Sequence, residues 1–193
     1  MSFGWPSREF DGFDVLEDAI DRAYGMKVLM FAAAANNGGR SGRAYPACSP
    51  HVICVHSTDT DGNRSPFSPT AEPNAINIAT VGESVTSAWP TSLCHDGERV
   101  QTRSGTSYAT PIVVGISAFL LHYVRLYLSE NEAKILKRKE KMEALLRGCA
   151  ERGPYYQPRD GYLSVDLSLY SQNLFGQKDK EDVRRDIVKI LRL

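Results

Sequence analysis

Hydroxyl side chains crowd the start of the most apolar helix that the sequence predicts. Residues 103–111 read RSGTSYATP, and residues 104–127 are predicted to form a helix capped by Ser104 or Thr106. The first turn of a helix has unpaired N–H groups and partial positive charge, so an oxyanion formed beside it is stabilised. A serine such as Ser107 could serve as a nucleophile there, and the same residues also fit an ordinary capped helix.

A second polar group follows a predicted strand. Residues 26–35 form a continuous apolar run, which is typical of a strand buried on both faces of a parallel sheet. Asn36, Asn37 and Gly38 come directly after the run. Asn and Gly favour turns, so a strand end with a simple turn is an equally good interpretation of this segment.

The rest of the chain alternates helices with buried strands, which is typical of an α/β domain with a parallel sheet. A helix is predicted at 12–25, strands at 51–57 and 74–81, amphipathic helices at 130–153 and 178–193, and a loop at 153–163. The helix at 104–127 is predicted to be buried over most of its first four turns, because charged residues are absent from 104 to 124. In the helix at 130–153, one apolar stripe comprises Met142, Leu145, Leu146 and Cys149.

Composition argues against several classes of partner. The formal net charge is zero and the pI is about 6.9, whereas nucleic acids and anionic membranes favour a basic face. The longest near-candidate for a membrane span, residues 115–128, is short and contains Arg125, so no membrane partner is expected. The N-terminus has no signal-peptide pattern, and a cytoplasmic protein with reduced thiols is expected. The cysteines, which form no CxxC pair, are Cys48, Cys54, Cys94 and Cys149.

Two segments resemble motifs of the subtilisin-like serine proteases, the subtilases. Residues 105–111, GTSYATP, resemble the signature GTSxATP, in which the serine is the nucleophile, so the resemblance assigns that role to Ser107. Residues 32–38, AAAANNG, are similar to the family motif AAAGNxG, in which the asparagine donates a hydrogen bond to the oxyanion. By this match Asn36 is the oxyanion donor. Ala35 replaces the usual glycine, and its methyl group is expected to narrow the primary specificity pocket.

Further matches follow the family order over residues 1–125. Residues 1–4, MSFG, resemble the MSxG strand that pairs with substrate, and residues 45–47 resemble the YPA that walls the specificity pocket. Residues 51–68 are similar to VIxVGAxDxxGxxxxFS, whereas residues 80–82 read TVG where the family has APG. The pattern is nearest to fungal intracellular members. The substrate-binding residues that the resemblance implies are Ser2, Phe3, Gly4, Ala33, Ala34, Ala35, Tyr45 and Pro46.

The resemblance implies an α/β fold with a parallel sheet flanked by helices. Residues 1–128 would be the C-terminal part of a peptidase domain whose N-terminal part is missing, and residues 129–193 a helical C-terminal extension. The implied function is a serine endopeptidase that cleaves polypeptide substrates through an acyl-enzyme. The mechanism needs no cofactor. Family members often bind calcium, but the sequence has no carboxylate cluster that supports a metal site.

The serine lacks the partners that it needs. In this family an Asp and a His precede the serine and lie upstream of the MSxG strand. None of the histidines, His51, His56, His95 and His122, stands in the family's HGT context. We therefore expect the chain to be a fragment, with an upstream segment of the same protein that carries both residues.

Two other functions fit parts of the sequence. A catalytically inactive pseudoprotease, or peptide-binding module, would hold peptides without cleaving them. A nucleotide-binding α/β domain would use the loop at 37–43, but a phosphate-binding loop should lead into a helix, and this one leads towards another strand.

Overall fold

The computed structural model describes residues 1–73, 75–93, 99–154, 163–168 and 173–192. Its helices are α1 (Phe13–Gly25), α2 (Thr106–Tyr127), α3 (Glu130–Leu136), α4 (Lys139–Gly148) and α5 (Lys180–Arg192). Its strands are β1 (Phe31–Ala33), β2 (Ile53–Thr58), β3 (Ile78–Val81), β4 (Val85–Ala88), β5 (Val100–Arg103), β6 (Ala150–Glu151) and β7 (Leu163–Val165). Asn74, Leu193 and most of the predicted loop at 153–163 lie outside the described residues.

The central sheet has the order β1-β2-β3-β7-β6. The first four strands in that order run parallel, and β6 pairs antiparallel with β7 at one edge. Strands β4 and β5 form a separate antiparallel pair. The predicted α/β fold with a parallel sheet flanked by helices is confirmed. The strand predicted at 26–35 was too long, because only Phe31–Ala33 pairs in the sheet and Lys27, with a φ of 59°, belongs to a turn.

Helix α2 lies against the first three strands of the sheet through one face only. Val113, Leu120 and Val124 are fully buried on that face, whereas Val114 and Phe119 are more than 40% exposed. The prediction that most of its first four turns are buried was therefore wrong.

Helix α2 is long and apolar enough to cross a membrane, although the sequence analysis found no such candidate. However, one face of α2 packs on the sheet, as in the core helix of a folded domain.

The single helix predicted at 130–153 is two helices, α3 and α4, with a break at residues 137–138. Ser129 begins α3 with a capping box that includes Glu132. At about 100° per residue, an unbroken helix would place Leu136 roughly opposite the stripe of Met142 and Leu145. All three side chains are fully buried in one core, so the chain has to turn between them.

Residues beyond 128 share the core of the sheet. The predicted stripe of α4 is buried, and side chains of α5 join it together with Phe31 of β1 and Val113 of α2. Strands β6 and β7 extend the sheet that β1 begins. The division into a peptidase part ending at residue 128 and an extension from 129 to 193 stays a prediction about domain organisation.

We expect Ile187→Ala to lower the free energy of unfolding by about 2–5 kcal/mol, because Ile187 is fully buried in this core and the truncation leaves a cavity. Ile190, on the same helix, is only partly buried, so Ile190→Ala is a matched control with a smaller effect. Urea denaturation of both variants measures the difference. Equal losses would mean that α5 is not fixed against the sheet as described.

Candidate active site

The N-terminal residues lie beside β1 and bring their backbone to the start of α2. The Ala33 N–H donates to the carbonyl oxygen of Met1 at 3.0 Å. Trp5 exchanges two backbone hydrogen bonds of 2.9 Å with Tyr45 on its other side. The backbone groups of Phe3 and Gly4, between these anchors, make no hydrogen bond within the described part of the chain.

The start of α2 is capped from another part of the chain. Its N-cap residue is Gly105, and no side chain of its own segment caps it, so the predicted cap at Ser104 or Thr106 was wrong. Asn36, 70 residues earlier, provides the acceptor instead: its Oδ1 accepts from the Thr106 N–H at 2.8 Å and from Thr106 Oγ1 at 3.0 Å. The chain turn after β1 therefore completes the first turn of α2.

These bonds orient the Asn36 amide. A backbone N–H can only donate, so the side-chain atom that faces it must be the amide oxygen. The Nδ2 group then points away from the Thr106 N–H, and it donates no hydrogen bond to any residue that the structure describes. Asn36 is exposed. Its donor is therefore available to a bound molecule.

Ser107 lies one residue further along α2 and is partly exposed. Its hydroxyl donates to the carbonyl oxygen of Ser2 at 3.4 Å, which is a long hydrogen bond. In return, Ser2 Oγ donates to the carbonyl oxygen of Ser107 at 3.0 Å. The nucleophile candidate is thus held by the N-terminal segment, and among the described residues it is not hydrogen-bonded to a general base.

A cavity of about 260 Å³ connects these groups. Of the predicted site residues, it brings together Ser2, Phe3, Gly4, Ala33, Ala35, Asn36 and Ser107. Ala34, Tyr45 and Pro46 are buried and do not line it. Sequence reasoning missed Thr106 as the partner of Asn36, and it missed Pro6, Asn37 and Ala44 in the cavity wall. The sequence signals for Thr106 were its position next to Ser107 and its place at the predicted start of the helix.

The described histidines do not hydrogen-bond to Ser107. His51 stacks on Tyr24 with ring centroids 4.1 Å apart, and His122 is exposed on α2, about 22 Å from Ser107 at 1.5 Å rise per residue. His56 is fully buried beside Cys54 and Ser68. His95 lies outside the described residues.

His56 makes stability depend on pH. Burial, assisted by the charge of Arg43, lowers its pKa from 6.5 to about 3. The unfolded chain binds a proton below pH 6.5 and the folded chain does not, so stability is full above pH 6.5 and falls as the pH approaches 3. We expect His56→Gln to remove about 2 kcal/mol of the loss in unfolding free energy between pH 7 and pH 5. Urea titrations at both pH values test this, and an equal loss in both proteins would contradict it.

The described ranges contain no group of three or more His, Cys, Asp or Glu side chains arranged to hold a metal ion. Burial also raises the pKa of the Cys54 thiol to about 12, so this cysteine stays a neutral thiol.

A model described as "Subtilase family" (Peptidase_S8) matches residues 1–168. The chain is 33% identical over 124 residues to Subtilisin DY from Bacillus licheniformis, covering 63% of this chain and 41% of that protein. It is 34% identical over 103 residues to Alkaline protease 1 from Aspergillus oryzae, covering 53% of this chain and 24% of that protein. The chain thus matches less than half of the length of these curated relatives.

Solved structures share the fold. The prenylagaramide maturation protease PagA superposes with a TM-score of 0.64 at 25% identity, covering 96% of this chain and 59% of that chain. The patellamide maturation protease PatA superposes with a TM-score of 0.58 at 26% identity, covering 98% of this chain and 60% of that chain.

Proposed function

The chain belongs to the subtilase family, and on that premise we propose that it is the serine-bearing part of an endopeptidase. Ser107 is the proposed nucleophile and Asn36 the proposed oxyanion donor. The observation that supports this most directly is their meeting at one cavity, with the Asn36 amide oriented by Thr106. The relatives are longer than this chain, so the activity of the whole protein is part of the proposal.

In the proposed reaction, Ser107 Oγ attacks the carbonyl carbon of a peptide bond while its proton passes to a general base. The carbonyl oxygen becomes an oxyanion beside the first turn of α2, where Asn36 Nδ2 donates a hydrogen bond to it. The tetrahedral intermediate collapses to an acyl-enzyme as the base returns the proton to the leaving amine. Water then hydrolyses the ester by the same steps.

The free backbone groups of Phe3 and Gly4 are suited to hold the substrate. An extended peptide pairs with such unpaired N–H and C=O groups by adding a strand. Trp5 and Met1 fix the segment on both sides through their backbone bonds, so its free groups are presented without a further ordering cost. This arrangement supports a polypeptide as the substrate.

We further propose that the base and its orienting acid, a His and an Asp, lie on an upstream segment of the same protein. The exposed stripe of α2 indicates where that segment would approach. At helical spacing Ser107, Pro111, Val114 and Ala118 lie on one side of the helix, and the last three are exposed. A segment that covers this apolar stripe reaches Ser107 directly.

The alternative is a peptide-binding module without catalysis. The Ser107 hydroxyl makes a long hydrogen bond to Ser2 and has no described base as its partner. This favours the alternative for any form of the protein that lacks the proposed upstream segment. A peptide-binding module would hold its peptide between residues 2–4 and the cavity wall. This alternative predicts peptide binding without turnover.

Labelling by a fluorophosphonate distinguishes the two functions. The natural protein, captured with an antibody to residues 178–193, should react, and peptide mapping should locate the adduct on Ser107. A Ser104→Ala variant should label equally, because Ser104 is a nearby exposed serine outside the cavity lining. Intact mass gives a second readout: a value well above 21.4 kDa supports the additional segment. Absence of labelling in a protein that binds peptides would establish the non-catalytic alternative.

A further inference from the structure

Positively charged side chains gather around the end of α2 that lies far from Ser107. They line two cavities, one of about 670 Å³ between α2 and α3 and one of about 330 Å³ between the end of α1 and the start of α4. Lys137 lines both cavities, so the two are continuous. The cationic residues, which together we term the basic surface, are Lys27, Arg125, Lys134, Lys137 and Arg138.

Most of these cations have no carboxylate partner. Lys27, Arg125, Lys137 and Arg138 are exposed, and none of them forms an ion pair with another residue that the structure describes. Lys134 pairs with a glutamate of its own helix at 3.7 Å, but both side chains are largely exposed, so water screens the pair. The positive charge of the basic surface is therefore largely uncompensated.

The carboxylates nearest to these cations are held by other groups. Glu140 lines the smaller cavity, and its Oε1 accepts a hydrogen bond from Tyr24 Oη at 3.0 Å. Glu143 is buried and pairs with Lys139 at 2.8 Å. Lys139 is thus neutralised within the fold and is left out of the basic surface.

The break between α3 and α4 concentrates the charge. Residues 134–141 contain five cations and one carboxylate. Lys137 is the C-cap of α3 and Arg138 the N-cap of α4, and at the break both side chains line one cavity together with Lys27 from the turn after α1. Like charges held close together repel one another, and a bound anionic group would offset that repulsion.

The remaining lining indicates what kind of anion would fit. Leu121 and Ala133 line the larger cavity and Val28 the smaller one, so both offer apolar contacts beside the cations. Glu130 and Glu140 lie among the cations. A DNA duplex, with one negative charge per about 1.7 Å of helix axis, would bring phosphates against these glutamates. An extended polypeptide can instead place acidic side chains at the cations and apolar side chains in the cavities.

We propose that the basic surface is a docking site for an acidic segment of a partner polypeptide, with Lys137 at its centre. Arg125 lies about 27 Å from Ser107 along the axis of α2, at 1.5 Å rise per residue. The docking site is therefore separate from the cavity beside Ser107, and both can be occupied at once. The proposal does not depend on whether the protein cleaves peptides.

Lys137→Glu tests the proposal in the natural full-length protein. The probe is a fluorescein-labelled peptide of repeated Glu-Glu-Leu, and fluorescence anisotropy gives its Kd. The wild type should bind it, with a Kd that rises with salt because added ions screen the attraction. Lys137→Glu should raise the Kd at least about tenfold, since it places a negative charge where the two cavities meet.

Arg147→Glu is the matched control. Arg147 is an exposed cation in the last turn of α4, lies outside both cavities, and its replacement changes the net charge by the same amount. It should keep the wild-type Kd, and thermal unfolding of both variants checks that they fold. An equal loss of affinity in the two variants would reduce the effect to net charge and overturn the docking site.

Other outcomes would also overturn the proposal. One is that the wild type fails to bind the peptide at low salt. Tighter binding to phosphatidylserine vesicles or to a DNA duplex, lost in Lys137→Glu, would assign the basic surface to a lipid or a nucleic acid. A doubled mass in analytical ultracentrifugation that Lys137→Glu abolishes would make a second copy of the protein the occupant.

Discussion

Ser107→Ala should lower kcat for peptide hydrolysis by about 10⁶-fold, a magnitude carried over from subtilisin, a member of the same family. The hydroxyl is the only group of this residue that can form the acyl-enzyme. Ser2 Oγ, which lies in the same cavity, is directed to the Ser107 carbonyl oxygen. The fold should be unaffected, because the variant loses only the 3.4 Å bond to Ser2.

The measurement is hydrolysis of a fluorogenic peptide by the natural protein and by the variant, with thermal unfolding of both as the check on folding. Ser104→Ala is the matched control and should keep the wild-type rate; its Oγ accepts a hydrogen bond from the Ser84 N–H and lies outside the cavity. Hydrolysis that survives Ser107→Ala would assign the activity to another group.

Asn36→Asp should lower kcat by about 10²–10³-fold while leaving KM nearly unchanged, the size of effect carried over from the loss of one oxyanion donor in subtilisin. Aspartate keeps the oxygen that accepts from Thr106 but replaces the Nδ2 donor by a second oxygen. Its negative charge also opposes an oxyanion. At the same time a carboxylate beside the first turn of α2 interacts favourably with the helix dipole, so the protein should not become less stable.

Asn36→Leu separates catalysis from capping. Leucine has a similar size but neither donor nor acceptor, so kcat should fall to a similar extent. The Thr106 N–H then loses its acceptor, whereas the Thr106 hydroxyl keeps the Ala35 carbonyl oxygen, and we expect the free energy of unfolding to fall by about 1–3 kcal/mol. Kinetics and urea denaturation of both variants give the comparison. A kcat for Asn36→Asp within tenfold of the wild type would exclude Asn36 as an oxyanion donor.

Much of the family and fold was predictable from the sequence because local patterns report burial. The apolar run of β2 and the stripe of Met142, Leu145 and Leu146 are buried as predicted, and helices occur near residues 12–25 and 178–193. The subtilase family, predicted from short motifs, is confirmed by the match over residues 1–168. Motifs of this kind are readable because they occupy consecutive positions, where residue identity alone carries the signal.

Other features could not be predicted, because they depend on residues distant in sequence. The cap of α2 comes from Asn36, and the buried face of α2 depends on where the sheet lies. The break after Leu136 exists because two stripes must reach one core. Periodicity identifies which residues can be buried, but it does not show what covers them.

Residue patterns alone were thus sufficient to infer the family, the buried strand β2, the helices near residues 12–25 and 178–193, and the residues that could do chemistry. The tertiary structure decided that Ser107, Asn36 and residues 2–4 share one cavity, that Tyr45 and Pro46 are buried away from its lining, and that Ala35 is held at a positive φ in its wall. The physical reason is that element propensities follow from neighbours along the chain. A site depends instead on hydrogen bonds and contacts that form only when strand ends and a helix N-terminus are packed together.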